Sequence, residues 1–318
     1  DRSNRWPRVV MGRAPHKPCL LLAVVDMIAL GIVNTNLIPL VLDLRELFGK
    51  YWEVAMPPDK RGNVATPFFH LKSEKVGKRY WWGLLPKEGQ EGLLRANSIQ
   101  SINTLQTGFF GAKLDEGLFY WLSLQEGRQA LREVLIETHF AAEVRGAIWE
   151  QVVVNEQAFE YSELLLSQAK GSAKAKLLHE SKEELLIAEP VRDQGFRRAI
   201  VKTYDQRCAF CGLRIVTDEG HTAIMAAHII PWHVSYNDDP RNGIALCRLC
   251  HWAFDEGMMG MNKRYQIKLS PHLLAGENLP GHLPTLKGRE LMGPGDRDLW
   301  PSLESVAWHG REVFRGGK

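Results

Sequence analysis

Two Cys-x-x-Cys pairs mark the chemistry-bearing end of this chain. They are Cys208-Ala209-Phe210-Cys211 and Cys247-Arg248-Leu249-Cys250. In an oxidising compartment such cysteines could form disulfides. Paired knuckles read better as one tetrahedral structural Zn²⁺ site, because two intervening residues let a tight turn aim both thiolates at one ion. That reading implies a reducing, cytoplasmic setting. Between and after the pairs lie His228, Asn242, His251 and Asp255. His228 ends an apolar strand-like stretch, and imidazole titrates near neutrality, so it could serve as a general base. His251 and Asp255 are four residues apart, which on a helix places both on one face, able to grip one Mg²⁺ or Mn²⁺ ion. Each residue alone has a plainer reading. A lone histidine is usually structural, Asn242-Gly243 is an ordinary turn signal, and Asp255 could cap a turn before Glu256-Gly257.

Taken in order within a zinc frame, His228, Asn242, His251 and the following Phe254-Asp255 resemble the HNH, or ββα-metal, nuclease motif over Cys208 to Met261. The resemblance implies a metal-dependent DNA endonuclease. His228 would deprotonate water, Asn242 would brace the hairpin that presents His228, and His251 with Asp255 would hold the catalytic ion. The products would carry 5′-phosphate and 3′-hydroxyl ends. Ala227 departs from the pattern, since many members place a metal-binding Asp or His immediately before the base. His221 or His233 could supply the missing ligand.

Two stretches of the N-terminal part, residues 14–22 (Ala14-Pro15-His16-Lys17-Pro18 and the apolar run after it) and 66–71 (Thr66-Pro67-Phe68-Phe69-His70-Leu71), resemble the sulfur-binding domain of phosphorothioate-dependent HNH restriction enzymes. The helical tail over residues 114–140 looks similar too. The resemblance implies a reader of double-stranded DNA bearing sulfur on its backbone. Sulfur is larger and less strongly hydrated than oxygen, so apolar carbon beside cations suits it. Pro67, Phe68 and Tyr80 are the expected wall. Arg13, His16, Lys17, Arg61, His70, Lys72, Lys75, Lys78 and Arg79 are the expected basic rim. Against this, Phe68, Trp81 and Trp82 could be core, the run from Lys72 to Arg79 a solvated turn, and His16-Lys17-Pro18 a helix start. The alternatives are an HNH restriction enzyme reading methylated or hydroxymethylated cytosine, which needs a pocket for an extruded base, and a non-catalytic zinc-stabilised DNA-binding protein.

The elements that must position these residues are expected to form a mainly α+β chain of two domains. The chain has 318 residues, more than one domain usually holds. Its 45% hydrophobic and 24% charged residues exclude a disordered chain, a collagen-like fibre and a coiled-coil rod. A net charge of +3 allows nucleic-acid binding without arguing for it. An α/β-type DNA reader is expected over residues 1–141, a helical linker over 142–190 containing the polar break at 170–176, and the zinc-stabilised ββα-metal domain over 191–318. In the first part, helices are expected over residues 18–30, 38–48 and within 114–140. Residues 67–71 and 80–85 read as paired strands around a basic turn. The apolar run at residues 19–33 follows several arginines, as in an export signal. Asp26 interrupts it, and it is shorter than a membrane span, so a buried helix holding Cys19 is expected. No membrane contact is expected, and a homodimer is compatible with the sequence. Asp1 is expected to mark a trimmed end, from which a targeting signal could be missing.

Overall fold

The computed structural model describes residues 7–171 and 188–316. Its contacts divide the chain into two units: Asp1–Glu156 with Val216–His221, and Gln157–Ile215 with Thr222–Lys318. Helix α7, Ala142–Ala169, falls across the expected linker. It is not free connecting chain, because Ile148 and Val152 join the first core and Leu165 the second. The polar break expected at residues 170–176 lies largely outside the described residues.

The first unit is built on α1, His16–Ala29. This helix is apolar on almost every side, and such a helix must be surrounded. Around it stand α2 (Leu42–Ala55), α5 (Glu116–Ser123) and α6 (Gln125–His139). No described helix is long and apolar enough to cross a membrane. Asp26, the charge that interrupts the run, is fully buried. Burial raises its pKa, opposed by its partners. Tyr51 donates to one carboxylate oxygen, as does Asn155 Nδ2 at 3.0 Å, and Arg132 donates to the other at 2.7 Å. A buried carboxylate is tolerated only with such company.

Two expectations for this unit are corrected. The second helix starts at Leu42, not Ile38, and runs on to Ala55. Ile38 precedes Pro39, whose ring disfavours helical backbone before it, and Ile38 instead bridges to Ala112. Residues 67–71 are not a strand: Ala65–His70 is helix α3. Asn63 Oδ1 accepts from the backbone of Ala65 and Thr66 (2.8 and 3.1 Å), starting the helix as a cap does. Pro67 sits in the first turn, where no N–H is missed. The hairpin is smaller than expected and pairs β1 (Lys75–Val76) with β2 (Arg79–Tyr80). Its turn needs the left-handed backbone of Gly77, φ 63°. Strand β3, Trp82–Pro86, pairs with β4, Phe109–Leu114, which follows helix α4, Ile102–Gly108.

The second unit begins with α8, Glu189–Thr203. Strands β5 (Ile224–His228) and β6 (Gly243–Cys247) pair antiparallel, with a short helix α9, Trp232–Ser235, in the loop between them. Helix α10, Arg248–Asp255, follows β6 without a break. Strands β7 (Met259–Met261) and β8 (Ile267–Leu269) pair beyond it, and α11 is Leu303–Glu312. These elements enclose a second core. Phe196, Ile200, Phe210, Ile244, Phe254 and Val306 pack into it. His309 is buried against Phe254, ring centroids 3.7 Å apart, and burial pushes its pKa down to about 4.

The buried network gives a stability prediction. Arg132→Met leaves Asp26 charged without its cation and is expected to cost about 3–5 kcal/mol. Urea unfolding of the full chain, followed by Trp fluorescence, measures it. An unchanged midpoint would show that the pair contributes nothing.

Candidate functional site

The four paired cysteines converge. Their sulfur atoms all lie within 4.8 Å of one another, and Cys211 Sγ is 3.7 Å from Cys247 Sγ. All are free thiols. A tetrahedral Zn²⁺ with bonds of about 2.3 Å would hold its sulfurs roughly 3.8 Å apart, so the donor set fits that ion. The first knuckle is a tight turn. Gly212 N–H donates to Cys208 O and Cys208 N–H to Leu213 O, each at 2.9 Å, with Gly212 at φ 76°. The second knuckle is the junction of β6 with α10, so Cys247 closes the strand and Cys250 lies in the first helical turn. Cys19 stands apart, buried in α1 as expected.

His228 ends β5, opposite Gly243. Its ring stacks on Phe196 of α8, centroids 3.8 Å apart and planes 3° from parallel. Its Nε2 lies 2.7 Å from Asp238 Oδ1, and the two side chains are 22% and 6% exposed. Asp238 Oδ2 accepts from the Tyr161 hydroxyl at 2.8 Å. Asn242 is buried and makes three side-chain bonds. Its Oδ1 accepts from Ile230 N (3.0 Å), and its Nδ2 donates to Ile230 O (3.0 Å) and Asn237 O (3.1 Å). These bonds tie together both ends of the loop carrying Trp232 and Tyr236. Arg192 lies over Trp232, 3.9 Å from the ring centroid.

His251 and Asp255 face each other across one turn of α10, with His251 Nε2 3.3 Å from Asp255 Oδ2. Burial raises the Asp255 pKa, and the neighbouring His251 opposes it. An imidazole and a carboxylate suit Mg²⁺ or Mn²⁺. Among the described residues, only the four cysteines gather three or more metal-ligating groups. His221 and His233 therefore do not complete a set with this pair. His221 lies 3.7 Å from Glu53, and His233 is exposed. Ala227, 2% exposed, belongs to the core. An ion at this pair would take its other ligands from water and phosphate.

In the first unit, the expected DNA-reading residues divide. Phe68 is fully buried, edge-on to Trp82 at 5.1 Å, and Pro67 is buried beside it. Neither can serve as a DNA-facing wall, because the α3 backbone turns them into the core. His16 lies against Trp52, ring centroids 4.5 Å apart. Lys17 pairs with Glu74, and His70 Nε2 is 3.1 Å from Ser98 Oγ. Lys72 sits 3.8 Å from the Phe69 ring centroid. Burial, then the charges of Lys17 and Lys72, lower the His70 pKa, so these three share one basic neighbourhood. Arg13, Lys75, Lys78 and Arg79 are exposed. Beneath the hairpin lies an apolar cavity of about 400 Å³, bordered by Leu21, Val25, Val76, Arg79, Tyr80 and Trp81. Of the expected wall residues, Tyr80 alone lines it.

Sequence reasoning gave no role to Asp238, Tyr161 or Phe196, although all three surround His228. Asp238 was visible as half of Asp238-Asp239, but nothing in its spacing marked it.

Residues 208–262 match the HNH endonuclease family. This stretch, with its β5–β6 pair, following helix and thiol cluster, is similar to an HNH endonuclease domain. No curated protein matches the chain. Among solved structures, a modification-dependent TagI restriction endonuclease aligns at 22% identity and a TM-score of 0.30. That alignment covers 41% of this chain and 41% of the TagI chain.

Structural zinc gives the second prediction. The purified protein should hold about one Zn²⁺ per chain, and Cys208→Ser should release it and lower the melting temperature of the second unit, since metal binding contributes directly to folding. Elemental analysis and thermal melts read both. Wild-type protein without zinc would remove the claim.

Proposed function

We propose that the protein is a modification-dependent DNA endonuclease that recognises phosphorothioated duplex DNA and cuts it with a single-metal HNH site. The observation that carries the nuclease reading is His228, held at a hairpin end within the matched family stretch, with His251 and Asp255 paired on the following helix. His228 takes a proton from water, whose oxygen attacks phosphorus in line while the bond to the 3′ oxygen breaks. A divalent ion at His251 and Asp255 would neutralise charge on the phosphate and the departing oxygen. Asn242 keeps the loop after His228 closed, so the base does not wander from the strand end.

The modification reading rests on the first unit's cavity. Its lining is mostly apolar, with Arg79 and the helix-capping Asp115 at the border and Lys75 and Lys78 on the same hairpin as Arg79. A sulfur beside a charged phosphate matches that mixture. An extruded cytosine would bring several polar edge atoms into a wall with few partners for them, a burial that costs about 1–3 kcal/mol per unpaired group.

Two measurements test the parts separately. Folded His228→Ala protein should bind DNA as before and cleave about 10²- to 10⁴-fold more slowly; undiminished cleavage would remove His228 from the mechanism. The uncleaving full chain should then bind phosphorothioate duplex more tightly than the same ordinary duplex. One sulfur-sized apolar contact contributes on the order of 1–2 kcal/mol, roughly tenfold in affinity or somewhat more. Raising salt should weaken both complexes but leave most of that difference, and Tyr80→Ala should shrink it. Equal affinities for both duplexes would shift the reading to methylated cytosine.

A further inference from the structure

We infer that Asp238 is the positioning residue of the proposed base: it accepts a hydrogen bond from His228 Nε2–H and leaves Nδ1 to receive the proton from water. The inference rests on His228 being the base and adds what holds and tunes it. The contact is 2.7 Å long and nearly closed to solvent, which makes it a strong charge-assisted bond once the ring is protonated. A carboxylate on one ring nitrogen selects the tautomer that carries its hydrogen there. The other nitrogen then holds the lone pair. When Nδ1 takes the water proton, the ring becomes an imidazolium that keeps its Nε2–H, and Asp238 stays ionised beside it.

Three further groups make Asp238 a built partner rather than a passing one. Tyr161, from α7, donates to its second oxygen at 2.8 Å. Burial, followed by the Asp238 charge, raises the pKa of that hydroxyl, so it stays a donor. Phe196 covers one face of the imidazole and allows it to rotate only in its own plane. Arg192, on α8, is the cation whose charge acts on both Asp238 and Tyr161. Next along the loop, Asp239 is occupied by Arg241 at 2.6 Å and does not compete for the ring. Tyr161, Phe196 and Arg192 all lie outside residues 208–262, so the base is oriented by parts of this chain beyond the matched stretch.

The test uses the full chain with ¹⁵N-labelled histidine, His228 signals being assigned by their loss in His228→Ala. At neutral pH the ring should show a protonated Nε2 and a bare Nδ1. Asp238→Asn removes the carboxylate that selects this tautomer and should let the hydrogen spread to Nδ1, so that both neutral tautomers are populated. Asp238→Ala should slow single-turnover cleavage of phosphorothioated plasmid by about 10- to 100-fold with DNA affinity unchanged. Zinc content and melting curves establish that each variant is folded. If Asp238→Ala fails to fold, Tyr161→Phe is expected to show a smaller change of tautomer populations in the same direction. Wild-type tautomer populations and rates in folded Asp238 variants, or the opposite tautomer in the wild type, would overturn the inference. Full cleavage by His228→Ala would instead defeat the base assignment, while the tautomer spectra would still report whether Asp238 holds the ring.

Discussion

The pairing of β5 with β6 is the constraint on which the second unit depends. Its register sets His228 opposite Gly243 at one end and Ile224 opposite Cys247 at the other. The ladder therefore separates the proposed base from the start of the second knuckle by about 13 Å, four steps of roughly 3.3 Å each. A slip of one residue would turn His228 to the other face. Gly243 lets the ladder close at the His228 end. A Cβ there would lie 2.3 Å from Ile200 and 3.0 Å from Phe196, the ring that stacks on His228. The thiol cluster, if it holds Zn²⁺, ties the other end of β6 to the first knuckle and to α10. That helix in turn carries His251 and Asp255. One short ladder thus sets the places of His228, Asn242 and the His251–Asp255 pair.

What could be read from the sequence follows from how each signal is encoded. Cysteine spacing and the order of His228, Asn242 and His251 are local, and they delimited almost the same stretch as the family match. The partners of His228 are not local. Tyr161 and Asp238 are 77 residues apart in sequence, and a tyrosine on a helix has no pattern that points to a carboxylate in a distant loop. Phe196 lies on α8 and reads in sequence as one more apolar residue.

In the first unit, errors came from competing local rules. Pro67-Phe68-Phe69 looks strand-like because aromatics favour strands. Asn63 two residues ahead of Ala65 supplies a cap, and the segment becomes helical. Ile38 was expected in a helix for its apolar neighbours, while Pro39 excluded it. Asp26, by contrast, carried its message in the sequence. One acid within an apolar run argued against a membrane segment, and the folded unit spends Tyr51, Asn155 and Arg132 on it.

The size of the second core bears on what zinc would contribute. In a very small domain, metal substitutes for a core that cannot form. Here Phe196, Phe210, Phe254 and Ile244 already pack together, with α8 and α11 adding area. Removing zinc should then loosen the knuckles and the start of α10 before it unfolds the whole unit, because the apolar burial remains. The proposed base sits at the far end of the ladder from Cys247, braced by Asn242 and covered by Phe196. A fragment limited to residues 208–262 would keep every motif residue, yet it would lose Phe196 and Tyr161. Its His228 would have one face open to water, and Asp238 would be one hydrogen bond short. The matched stretch carries the proposed reacting groups, and the helices outside it hold His228 and Asp238 in place.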